Sequence, residues 1–251
     1  MSWTESTSSS FACRHSSART GDAARVLKQL EHARERFGTT FPEVTTGITV
    51  VLHDSPHALA LSNPLLPAIW AITSRPVRRY VTGWAGRHEL HVLSPRALRE
   101  RASGVSGSFE MLALAPSSLY AKRVIIATNR ELAQARLPAR SWAELGWAWL
   151  VEGAARWLSG ESEHSRAVVG SYLRSDHRPA FPPSARDAPL LAPTLIEFLA
   201  EEEGQAAVTR LVGRLHTGGP DAALLSAFPG RGLSAIEGEW RSRLRRLAEG
   251  G

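Results

Sequence analysis

The stretch WLVEGAARWLSG, Trp149 to Gly160, sets one carboxylate, Glu152, into a largely apolar helical run between Trp149 and Trp157. Burying a lone carboxylate is costly unless a cation, a metal or several donors meet it. What meets Glu152 therefore decides what the chain can do.

Around this stretch the pattern reads as helix, over Ser118 to Leu137 and again over Ser141 to Ser159. The first hundred residues read differently. SFACRHS is a short strand, and GITVVLHD is a β-branched one bounded by Gly47 and by DSPH. Between them Ala23, Val26, Leu27, Leu30, Ala33, Arg34 and Phe37 fall near a 3.6-residue period, and Gly38 follows the helix at its C′ position. Ser55 to Thr82 is rich in Pro, Leu and Trp without a clear period and reads as an irregular excursion. RHELHVLSP alternates as a further strand. Asp176 to Pro189 is a loop with four prolines, and SAIE, Ser234 to Glu237, spells a capping box for the last helix. Strands in 1–100 followed by helices in 101–251 make the class α+β, in one domain over 1–251 with residues 1–9 disordered.

The net charge of +6 comes almost wholly from arginine, because Lys28 and Lys122 are the only lysines. Those arginines are scattered, densest in RSRLRRL at Arg241 to Leu247, whereas a nucleic-acid groove gathers them on one face with stacking aromatics. Nucleic acid is not an expected partner. Cys13 stands alone, which excludes an intramolecular disulfide and a thiolate metal site. MSWTESTSSSFACRHSS has no apolar run long enough for a signal peptide or a span, so a cytoplasmic address and no membrane partner are expected. His88 and His91 are three apart in a period-two segment, which sends them to opposite faces of a strand and makes them half-exposed strand histidines rather than metal ligands.

The pattern WLxEGxAxWxxG resembles the third-ligand helix of gluzincin metallopeptidases, in particular peptidase MA-like domains. In that family a helix carrying HExxH comes first, and in NRELAQARLP the residues Arg130, Glu131, Leu132, Ala133 and Gln134 stand in its place, with 152 − 134 = 18 residues from Gln134 to Glu152. The order of opening strand, long helix, GITVVLHD, an edge strand GRHELHVLSP and the closing helix GLSAIEGEWRSRL is similar as well, so the resemblance covers nearly the whole chain. It implies a zincin-like fold: a small mixed N-terminal β-sheet with a helix, then a mainly helical half.

Carried over position by position, the resemblance makes Glu131 the general base and Arg130, Gln134 and Glu152 the former ligand positions. Both histidines are replaced. A guanidinium has no lone pair for zinc, and an amide oxygen is a poor substitute for imidazole. Without the metal there is no Lewis acid and no activated water. The resemblance thus implies a catalytically inactive zincin-like protein without zinc or another cofactor, its old cleft binding a peptide, a protein or a small ligand. In such folds the edge strand, here Gly83 to Leu93, pairs with an extended segment; Gly83, Trp84, Leu90 and Trp149 are the cleft residues. The alternative is a hydrolase with other metal ligands, His164 or His177, or with Glu131 and Glu152 as a metal-free carboxylate pair. Arg130 is one candidate partner for Glu152, and Arg156, four residues on, is the other.

Overall fold

One mixed sheet of five strands organises the first half of the chain, in the order β1-β2-β3-β5-β4. The strands are β1 (Trp3–Thr7), β2 (Phe11–Ser16), β3 (Ile48–His53), β4 (Gly83–Ala85) and β5 (Glu89–Leu93). The structure is a computed structural model and describes residues 3–41, 46–129, 132, 145–175 and 178–250. β2, β3 and β5 run parallel, and each edge strand pairs antiparallel, β1 on β2 and β4 on β5.

Alternation along the strands makes two faces. Phe11, Cys13, Ile48, Val50, Leu90 and Val92 are buried on one of them. That face is covered by α1 (Thr20–Gly38) and α6 (Ala115–Thr128), where Tyr120 meets Phe11 edge-on at 5.1 Å and stacks on Phe37 at 5.9 Å. α1 buries Ala23, Val26, Leu27, Leu30, Ala33 and Phe37, the stripe its period predicts apart from Arg34, which is half-buried. The other face carries His53, His91 and Trp84 and is packed by α2 (Pro56–Leu61).

Several expectations are corrected. Residues 1–9 are not disordered as a block: Trp3–Thr7 form β1, in register from Trp3 opposite Ser16 to Thr7 opposite Ala12. Backbone pairing holds this strand although its side chains, exposed Trp3 apart, are polar, helped by Arg14 on Glu5 at 3.2 Å and Ser6 Oγ with His15 Nε2 at 2.9 Å. Ser55 to Thr82 contains α2, α3 (Leu66–Ile72) and a 3-10 turn, Val77–Tyr80. Pro56 and Pro67 sit in first turns, where a missing N–H costs nothing, and Ser55 Oγ caps α2 by accepting from Ala58 N. Gly38 lies within α1. Ser234 lies within the last helix, α12 (Leu233–Glu249), behind Gly232, and Glu237 accepts from Arg241 at 2.7 Å instead of closing a box. Gly83 to Leu93 is a hairpin rather than one edge strand; β5 is an inner strand, and of the two it is β4 that lies at the sheet edge.

The second half is helical. α4 (Pro95–Arg101) and α5 (Ser108–Ala113) lead into α6. After it come α7 (Ala148–Ser159), α8 (Arg166–Leu173), α9 (Ala188–Glu203), α10 (Gln205–Gly213), α11 (Gly219–Ala227) and α12. α7 lies between α6 and α9, and Gly153 lets it approach closely: a Cβ there would stand 2.8 Å from the Ala192 carbonyl oxygen. Asn129, just past α6, donates to Ile125 O and Val212 O and accepts from Leu215 N, tying α6 to the end of α10. No helix among the described residues is long and apolar enough to cross a membrane.

Candidate functional site

Glu152 sits at mid-length on α7, facing α6. Lys122 of α6 donates from Nζ to Glu152 Oε1 at 2.6 Å, and Arg156 Nε lies 3.7 Å from Glu152 Oε2. Lys122 and Glu152 are about one-fifth exposed, so they form the open end of the cluster. Behind them the charges are buried. Arg156 donates through Nη1 to Glu161 and through Nη2 to Tyr80 O at 2.7 Å, while the Ser118 hydroxyl lies near Glu161 and favours its ionised form. α6 thus presents Ser118 and Lys122, four residues apart and on one face, to a carboxylate each.

Burial alone would lift the Glu152 carboxyl, but the charges of Lys122 and Arg156 outweigh it and hold it below the usual carboxylate range. Glu161 goes the other way: burial lifts it, and Arg156 opposes this only in part. Burial would also lower the Arg156 guanidinium, yet Glu161 and Glu152 raise it, so Arg156 stays charged. Two cations and two carboxylates therefore compensate one another in a row from the open end inward.

These residues do not fit a zinc ion. Among the described residues Glu152 is the sole carboxylate at the open end, and its oxygens already face an ammonium and a guanidinium, neither of which has a lone pair for a metal. Among the described residues no group of three or more His, Cys, Asp or Glu side chains is placed to hold one.

The sequence-predicted residues fall in different places. Arg130, Glu131 and Gln134 lie outside the described residues, as does His177. Arg156 contributes to Glu152 as its spacing suggests, but the shortest bond comes from Lys122, 30 residues upstream, which the reading of the sequence missed. One clue was available: Lys122 is one of only two lysines in a chain that otherwise uses arginine. His164 is exposed at the end of the 3-10 turn Glu161–His164. Leu90 is corrected as a cleft residue. It is 1% exposed on the core face of the inner strand β5. Trp149 is buried as well, one helical turn before Glu152 on the same face, and its indole N–H finds no acceptor among the described residues. Gly83 and Trp84 lie on the edge strand. A Cβ at Gly83 would stand 2.2 Å from His91 O and 2.6 Å from Leu119 Cδ1, so glycine lets β4 close on β5 and on α6.

The reading of His91 as a half-exposed strand histidine is also corrected. His88 lies outside β5 and is exposed, whereas His91 is buried, with Nδ1 2.9 Å from His53 Nε2 and Nε2 3.1 Å from Glu89. Trp84 stacks on it at 4.2 Å, and Trp84 Nε1 donates to Ser62.

The free side of β4 follows from its register. Thr82 O accepts from Leu93 N and Gly86 N donates to Glu89 O, so by alternation Trp84 pairs with His91, while Gly83 and Ala85 turn their backbone groups outward.

No protein-family model, no curated protein and no solved structure matches the chain.

Proposed function

We propose that the chain is a non-catalytic zincin-like protein whose cleft, between the β4 edge and the α6–α7 pair, takes an extended peptide or protein segment. The observation that carries this reading is the Lys122–Glu152 bond at 2.6 Å. An ammonium stands against the carboxylate that, by resemblance, would be a zinc ligand, and it supplies positive charge without Lewis acidity or a bound water. The outward backbone of Gly83 and Ala85 offers one strand's worth of pairing, which is how a sheet edge takes up an extended chain. The open Lys122–Glu152 end supplies charges for a polar side chain beside it.

Two measurements test the reading. Elemental analysis of protein purified without chelator should find zinc well below one per chain; stoichiometric zinc overturns the non-catalytic assignment. Selection from a displayed library of extended peptides should give binders that Ala85→Pro weakens sharply. That substitution removes an outward N–H and leaves the pairing with β5 in place. Binders indifferent to it would place the ligand elsewhere.

A further inference from the structure

From Ala58 to Ser74 the chain runs 17 residues without a charged or histidine side chain, ALALSNPLLPAIWAITS. This is α2, a turn and α3, and its apolar residues are not all inside. Of the seven large hydrophobics that are exposed among the described residues, four lie here: Leu61 at 75%, Leu65 at 42%, Ile69 at 37% and Ile72 at 49%. On α3 the spacing explains the exposure. Leu66 and Trp70 turn inward, and Leu65, Ile69 and Ile72 line the opposite side at intervals of four and three, so the helix is apolar all round while half of it faces out. Exposed apolar side chains gathered on one short segment mark an interaction surface.

The charges around it say what kind. Between Asp54 and Glu89 there is no acidic residue, and the same stretch holds Arg75, Arg78, Arg79 and Arg87. Arg101 joins them in space: its guanidinium donates to Arg78 O at 2.7 Å and Arg79 O at 3.0 Å and lies 5.9 Å over the ring of Trp70. An indole and arginines at the border of an apolar patch suit the interface between headgroups and acyl chains. A second copy of this chain would fit poorly, since pairing through this patch brings the arginines no acidic residue from the 55–88 stretch of the partner. Nucleic acid would answer the arginines and leave the leucine and isoleucine side chains in water.

We propose that the α2–α3 surface docks on an anionic lipid bilayer, with Leu61, Leu65, Ile69 and Ile72 entering the interface and Arg75 and Arg79 facing the headgroups. The contact is superficial, because no helix of the described residues can cross. It is independent of the Glu152 site.

Co-sedimentation with vesicles tests it, using phosphatidylcholine alone and phosphatidylcholine with roughly a third phosphatidylglycerol. The full chain is expected to sediment with the anionic vesicles, weakly or not at all with the neutral ones, and less as salt rises. Leu61→Gln/Ile72→Gln should weaken binding about tenfold or more, and Arg75→Gln about fivefold. Circular dichroism and an unchanged melting temperature would show that these exposed substitutions leave the fold intact. Absence of sedimentation with either vesicle overturns the proposal. So does light scattering that shows a dimer which Leu61→Gln/Ile72→Gln dissolves, since the patch is then a self-interface.

Discussion

Lys122 Nζ lies 2.6 Å from Glu152 Oε1 and joins α6, which packs on the sheet, to α7, which packs on the helices behind it. Replacing Lys122 by Met leaves Glu152 with Arg156 alone, at 3.7 Å. Because both partners are about one-fifth exposed, water softens the loss below that of a fully buried pair. Lys122→Met and Glu152→Gln should each cost about 2 kcal/mol in urea unfolding, and the double variant less than the sum. Additive losses would mean that the bond contributes nothing to the fold.

Arg156 is more deeply committed. Arg156→Leu strands Glu161, which is almost fully buried, and leaves Tyr80 O without its donor. The expected loss is about 3–5 kcal/mol, larger than for Lys122. Partial recovery in Arg156→Leu/Glu161→Leu would show that the stranded carboxylate carries much of the cost. Equal instability of the two variants would show that it does not.

Acid should act through His53 and His91. Burial, and then the charge of His91, lower the His53 imidazole from 6.5 to about 4, and burial lowers His91 despite Glu89 beside it. The unfolded chain takes up these protons first, so stability is complete above pH ~6.5 and falls as pH drops toward ~4. For His53 the loss is of the order of 3 kcal/mol. Asp54 and Glu89 oppose it, and Arg14, 3.6 Å from Glu89, restrains Glu89. Unfolding free energies from pH 7 to 4 should slope less in His53→Gln than in the wild type; parallel slopes would contradict the assignment.

Cys13 should be inert in the folded protein. It is fully buried on β2, and burial pushes its thiol up to about 12. Labelling by a thiol reagent at neutral pH should therefore follow global unfolding. Labelling in native buffer within the mixing time would show that the sheet opens locally.

Much of the scaffold was legible in the residues. The stripe from Ala23 to Phe37 reflects burial on one side, which local period reports directly, and the continuous β-branched run in GITVVLHD reflects burial of an inner strand on both. The need of Glu152 for a cation was legible as well, from the cost of burying a charge. Which cation answers it was not, because Lys122 and Glu152 are 30 residues apart and meet only through the packing of two helices. The His53–His91 contact has the same character, 38 residues apart on neighbouring parallel strands. β1 was missed because an edge strand held by its backbone and by polar contacts has no apolar alternation to read.

Gly153, next to Glu152, has a consequence for where that carboxylate can stand. With the Ala192 carbonyl where a methyl would be, α7 and α9 meet backbone to backbone. Sliding α7 along α9 by a turn would bring the side chain of Leu150 or Trp157, the neighbours of Gly153 on its face, onto that backbone, so the glycine admits a single axial setting. A residue without a side chain thus acts as a detent, holding Glu152 at the height where Lys122 reaches it. Even Gly153→Ala would shift the ion pair before it touched either of its charges.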